Sequence, residues 1–375
     1  MRMRNFALLG LAVFAAACSE SGPTSLRSPS ASPRLTINPV GSPIQIYGAW
    51  HCGNDACTWA TVRDVNEFDS KNHWLIDRGD AGHNPSVNLV VLSFVHPYRL
   101  LKGTTDAQTL NGVQRGITPD IVNYFKSHGI RVMLSIGGIT YVDAWNQALA
   151  ENATQLGLNA AAVAQSLGVG IEIDYEEATT PDLANLQKFI DAYRSVLPYD
   201  ATGANHAARL TIDLAAGDRW LIGIATKSTA DWLRTNQPVL DYANAMVPSK
   251  QPTASSATAS WQEHIDGKSQ YNPPIPPLAP SKLTGSVYIA DGSKALPECN
   301  NYAKSLESST WSFVHGINPN GAGVTPGMLG YMFWAAEKPS TRSVGTVPPN
   351  SCEKGAGAGA TALNVPIPMP ALRAQ

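Results

Sequence analysis

The chain has 375 residues, a formal net charge of -2 and a charged fraction of only 15%. That length holds one large domain or two ordinary ones, and so small a charge excludes an electrostatic grip on nucleic acid or on an anionic lipid surface. The hydrophobic fraction of 43% suits a packed core. The nine Trp and twelve Tyr mostly belong to that core, and those outside it suit an uncharged partner such as a sugar.

In chain order, Arg2 and Arg4 precede an apolar run from Phe6 to Ala17, which is too short to stay in a bilayer as a spanning helix. With Ala15, Ala16 and Ala17 leading into Cys18, residues 1–18 read as an export signal. Its end resembles a bacterial lipoprotein signal. The expectation is a protein that is secreted or anchored to the bacterial cell envelope, with a lipid on Cys18 as its only membrane attachment. Ordinary signal cleavage is the alternative. Residues 19–43 are rich in Ser and Pro and read as a linker. Cys52, Cys57, Cys299 and Cys352 form an even set, which in an exported chain predicts two disulfides. Cys52–Cys57 with Cys299–Cys352 is the preferred pairing of the three possible, and free thiols are the other reading.

From residue 44 the chain alternates between short apolar runs and helix signals. The runs are Ile44 to Trp50, Val87 to Val95, Ile130 to Ile136, Val169 to Ile173, Leu210 to Leu214, Leu240 to Val247, Leu283 to Ile289 and Leu329 to Trp334. Their continuous apolar character predicts strands covered by helices. Thr118-Pro119-Asp120 and Thr180-Pro181-Asp182 are helix starts, and Gly129 and Gly168 are helix stops. Eight strands in this rhythm predict an α/β protein, a (β/α)8 TIM barrel over residues 44–340. A doubly wound sheet is the rival, but its glycine-rich phosphate loop is missing after the first strand. Residues 249–282, rich in Pro, Ser and Thr, read as a long loop after the sixth strand. Residues 341–375 read as a low-complexity Gly/Ala/Pro tail.

The fourth run carries the chemistry. In Val169-Gly-Ile-Glu-Ile-Asp-Tyr-Glu-Glu177, strand alternation puts Gly170, Glu172, Asp174 and Glu176 on one side and Ile171 and Ile173 on the other. Acids lining a barrel lumen repel one another and hold protons at neutral pH. A raised pKa fits the outermost, Glu176, to donate a proton.

This strand resembles the D-G-x-D-x-D-x-E signature of the family 18 glycoside hydrolases, the chitinase-like barrels. Val169 and Gly170 take its first two positions, Glu172 and Asp174 the next two acids, Tyr175 the place before the last, and Glu176 the catalytic Glu. Leu134-Ser-Ile-Gly-Gly138 resembles the family's S-x-G-G element, and Gly330-Tyr-Met-Phe-Trp334 its subsite-floor strand. The likeness covers roughly residues 44–340. It implies cleavage of N-acetylglucosamine linkages, as in chitin, with retention, the substrate's own acetamido group acting as nucleophile. The resemblance implies that Glu176 is acid and then base, that Asp174 orients the acetamido group, and that Glu172 shares a proton with Asp174. Trp334, Tyr47, Met246, Tyr175 and Gly137 are the implied substrate-binding residues. No metal or cofactor is implied.

There are departures. Glu172 replaces an Asp, and Val169 replaces the first Asp and removes an inner polar contact. Pro248 and Ser249 stand where the family has the Tyr and Asp of Met-x-Tyr-Asp, so Tyr47 becomes the candidate support for the acetamido oxygen. Three alternatives stay open. One is an endo-β-N-acetylglucosaminidase acting on N-glycan cores. Another is a weak or silent chitinase-like carbohydrate-binding protein. The third is a two-carboxylate glycosidase using Asp213 or Glu337 as the second carboxylate.

Overall fold

A computed structural model describes residues 45–52, 65–77, 83, 85, 87–215, 221–246, 254–288 and 327–334. The expected signal, linker and tail, Glu337, Pro248, Ser249, and the sulfurs of all four candidate disulfide cysteines lie outside this set.

The strands are β1 (Ile46–Cys52), β2 (Leu89–Val95), β3 (Arg131–Gly137), β4 (Gly170–Asp174), β5 (Leu210–Ala215), β6 (Ala243–Met246), β7 (Leu283–Tyr288) and β8 (Gly330–Trp334). Each differs from its sequence expectation by no more than a few residues at either end. They close into a barrel in the order β1-β8-β7-β6-β5-β4-β3-β2, with every neighbouring pair parallel. This is the expected (β/α)8 architecture. A short antiparallel hairpin pairs Thr109–Leu110 with Val113–Gln114 outside it.

Helices α1 (Val65–Asn72), α2 (Pro97–Lys102), α3 (Pro119–Lys126), α4 (Val142–Leu167), α5 (Leu183–Val196), α6 (Ile222–Lys227) and α7 (Ala254–Asp266) run between the strands. Their ends follow local chemistry. Thr118 caps α3 by accepting from the Ile121 N–H at 3.2 Å. Gly168 ends α4 in the left-handed region, φ 64°. Asp182, rather than Thr180, caps α5, accepting from the Asn185 N–H at 3.0 Å. The 249–282 segment is not the long loop its composition suggests. It contains α7, a regular barrel helix between β6 and β7, whose small polar residues conceal it. Buried Trp261 lies over Gly285 on β7, and buried His264 bonds the Ala215 carbonyl through Nε2 at 2.7 Å. These two contacts fix α7 against the barrel.

Two apolar cores follow from strand alternation. The larger lies between sheet and helices, and includes Ile171 and Ile173 of β4 together with Val169. Val169 is therefore an outward packing residue, and the expectation that its identity removes an inner polar contact is corrected. The smaller core fills the lower lumen with Ile46, Trp50, Leu89, Val91, Met133, Tyr242, Leu329 and Met332. Around the N-terminal ends of the strands stand Arg131, Arg209 and Lys282, all buried. Asp241 accepts from Arg194 at 3.1 Å and lies 3.8 Å from Arg209, and its carbonyl accepts from Lys282 at 2.8 Å.

Gly137, at the C-terminal end of β3, permits the closest approach to β4. An added Cβ would stand 1.9 Å from the Asp174 carbonyl oxygen, and φ is 122°. Overpacking and a disfavoured backbone combine there, so Gly137→Ala is expected to lower stability by about 3 kcal/mol or more. The check is the urea midpoint at constant m-value, which an undisturbed β3–β4 contact would leave at wild type.

Candidate active site

Glu172 occupies the centre of the lumen, with no exposed surface. Its Oε1 accepts from Trp50 Nε1 at 2.8 Å and its Oε2 from Asn244 Nδ2 at 2.6 Å. Trp50 is on β1 and Asn244 on β6, strands that do not neighbour β4, so these bonds cross the barrel interior. Asp213 on β5 also pairs with the Glu172 carboxyl, and Ser135 on β3, in register with Glu172, lies beside it. Asn244 in turn accepts from Thr284 on β7 at 2.5 Å. Desolvation raises the Glu172 pKa, and these partners oppose the rise.

Asp174, two residues on, is 3% exposed and differently placed. Its main-chain carbonyl is clamped, accepting from the Gly138 N–H at 2.9 Å and from Trp145 Nε1 at 3.1 Å. Its carboxyl Oδ1 has no hydrogen-bond partner among the described residues. Burial, then the charges of Glu176 and Glu172, raise its pKa well above the usual carboxylate range. Glu176 stands at the mouth, half-buried. Desolvation lifts its pKa to about 7, against a hydrogen bond from the Ile139 N–H. Asp213 is 1% exposed, with its pKa raised well above normal by burial and by Glu172 and Asp174. β4 and the two residues beyond its end thus carry three carboxyls that differ in depth and in supply of donors.

The other sequence candidates separate. Met246 ends β6 in phase with Asn244 and is half-buried. Gly137 lines the site by letting β3 approach Asp174, as above. Trp334 ends β8 opposite Tyr288, and its side chain lies outside the described residues. Tyr47 does not reach the lumen. Gly48 and Trp50 hold the inward positions of β1, so alternation turns Tyr47 into the core beneath the helices. Tyr175 is likewise turned out. Its ring packs on Trp145 with centroids 5.6 Å apart, and its hydroxyl bonds Asn146 and accepts from the Asp182 N–H. It therefore ties α4 and α5 to the end of β4 on the side away from the lumen. Glu177, outside the lumen as alternation requires, accepts from the Thr179 and Thr180 N–H groups at 2.8 and 3.1 Å.

Sequence reasoning missed Trp50, Asn244 and Trp145. The first had a signal: it is in phase with Gly48, the small inward residue of β1. Asn244 had another, being a lone amide between alanines in a buried strand, which demands a buried partner.

No protein-family model matches the chain, and no curated protein does. Among solved structures it is similar to a GH18 chitinase from Pseudoalteromonas aurantia, at 15% identity and TM-score 0.46 over 77% of this chain and 94% of that one. It is also similar to a chitinase from Rhizomucor miehei, at 14% identity and TM-score 0.48 over 78% and 95%. A third likeness is to an endo-β-N-acetylglucosaminidase from Cordyceps militaris, at 11% identity and TM-score 0.43 over 86% and 91%. Identities this low leave the chemistry of the site to its own residues.

Two expectations follow from the geometry. Trp50→Phe removes a donor from a buried carboxylate and should cost about 1–3 kcal/mol, read from urea unfolding; an unchanged midpoint would mean the bond contributes nothing. The raised pKa of Asp174 means that the folded chain holds a proton the unfolded chain releases, so stability falls as pH rises above the usual carboxylate value. Asp174→Asn should therefore melt higher than wild type at pH 8, by about 2 °C or more, with the gain fading toward pH 4. A gain equal at both pH values would show that Asp174 is not held protonated.

Proposed function

We propose that this chain is a retaining glycosidase that cleaves β-1,4 N-acetylglucosamine linkages, in chitin or chito-oligosaccharides, by substrate assistance. One observation carries the reading. A buried carboxyl with an open oxygen, Asp174, lies beneath a half-exposed carboxyl poised near neutrality, Glu176.

The chemistry follows from those two environments. Glu176, protonated near pH 7, gives its proton to the departing glycosidic oxygen. The sugar's acetamido carbonyl oxygen attacks its own anomeric carbon as that bond breaks, closing an oxazolinium ring. Ionised Glu176 then takes a proton from water, which opens the ring with retention. The open oxygen of Asp174 is the acceptor for the acetamido N–H. Once ionised, Asp174 offsets the positive charge of the ring in a site shielded from water. The outward turn of Tyr47 leaves the acetamido oxygen without the tyrosine support considered from the sequence. Asp213 is bonded to Glu172 in the depth of the lumen, which speaks against its use as a second catalytic carboxylate. Export through residues 1–18 would bring the enzyme to such polymers outside the cell.

Glu176→Gln is expected to lower kcat on a chromogenic chitobioside by about 100-fold or more while leaving the melting temperature near wild type. Wild-type kcat should fall as pH rises through about 7, because the acid must begin protonated. The same assay with chitin oligomers beside a high-mannose glycopeptide tests the substrate. Cleavage of the glycopeptide alone would move the reading to an endo-β-N-acetylglucosaminidase. Binding of both without cleavage would make the chain a carbohydrate-binding protein, and full activity of Glu176→Gln would place the acid elsewhere.

A further inference from the structure

The described residues hold a fourth lumen carboxyl, on a different strand from the acid row. Asp213 of β5 is 1% exposed, and one of its oxygens, Oδ1, has no hydrogen-bond partner. Its carboxyl pairs with that of Glu172, and Asn244, its register partner on β6, donates to Glu172 at 2.6 Å. Two buried carboxyls can share a hydrogen bond only if one of them carries the proton. Two further donors, on Trp50 and Asn244, converge on Glu172 at 2.8 and 2.6 Å, whereas Asp213 has only the Asn244 contact to support a charge. Every donor favours the negative charge on Glu172 and the proton on Asp213.

We infer that Asp213 is a positioning residue that holds a proton and donates it in a hydrogen bond to Glu172, fixing Glu172 as the anionic member of the pair. The remaining titratable groups facing them are Asp174 and Glu176 above and Tyr242 below, with Arg209 at the N-terminal end of the same strand. The catalytic consequence rests on the function proposed above. A Glu172 kept anionic is able to accept the proton that Asp174 must release when it meets the oxazolinium charge. Asp213 thereby acts on the reaction through Glu172 without touching the sugar.

The test reads protonation directly, and does not require turnover. Protein with carbon-13 in the aspartate and glutamate side-chain carboxyls is titrated by NMR. Asp213→Asn identifies the Asp213 signal by its disappearance, and Glu172→Gln identifies that of Glu172. At pH 7 the Asp213 carboxyl should show the shift of a protonated acid and Glu172 that of a carboxylate. In Asp213→Ala, Glu172 should titrate at higher pH; in Asp213→Asn, which still donates, it should stay near wild type. An ionised Asp213 at pH 7, or a Glu172 titration unmoved by Asp213→Ala, overturns the inference. Should Asp213→Ala fail to fold, the wild-type spectrum and the Asn variant decide it. In the chitobioside assay, Asp213→Ala should lose at least tenfold in kcat, with Asp213→Asn recovering most of it. A wild-type protein that cleaves no N-acetylglucosaminide defeats the proposed function, while the carboxyl signals still decide the pair.

Discussion

The structure turns on one constraint: Glu172 sits where water does not reach, at the centre of a closed barrel. An ionised carboxylate moved there loses its hydration at a cost of several kcal/mol, and only convergent donors offset it. Those donors arrive from β1 and β6, with the Asp213 carboxyl of β5 beside them. The carboxylate is therefore satisfied only when the barrel is closed and in register. A one-residue slip of β4 would turn Glu172 into the apolar helix layer and leave Trp50 and Asn244 unpaired. Closure of the barrel and the pairing of its central acid are thus a single event.

From that centre the acid row becomes graded. Glu172 has donors, Asp174 lacks them, and Glu176 has one main-chain donor and contact with solvent. A β-strand repeats its side chains on one face every two residues, so it is an economical way to place like groups at successive depths. The surrounding strands then make them unlike. The outer supports serve this gradient without entering it. Trp145 and Gly138 clamp the Asp174 main chain, Gly137 allows that clamp to close, and Tyr175 braces the same turn from behind.

Much of this was legible before any coordinates, and the reasons for the rest are physical. Strand identity and the inward phase of Glu172, Asp174 and Glu176 follow from apolar runs and a period of two, both properties of local sequence. Helix α7 was hidden because its small polar residues give no periodic stripe; Trp261 and His264 hold it through contacts with distant strands. Tyr47 and Tyr175 were misplaced because an aromatic beside a site was credited with facing it, although alternation in each strand assigned them outward. Trp50 and Asn244 are partners of Glu172 over separations of 122 and 72 residues. No local pattern carries such a pairing.

The buried cations at the opposite end of the barrel give the lumen a long-range polarity. Arg209, just before β5, and Asp213 on it are four residues apart, roughly 13 Å along the strand direction. At an effective dielectric near 20, unit charges so separated still interact by about 1 kcal/mol. Arg131, Arg209 and Lys282 are screened from solvent by burial and opposed locally by Asp241. Their field therefore runs up the barrel axis toward the acids. Tyr242 stands between the two groups and registers both, its pKa raised by burial, lowered by Arg209 and raised by Glu172, so the field of the barrel floor, remote from any ligand, meets that of the acids in the middle of the lumen.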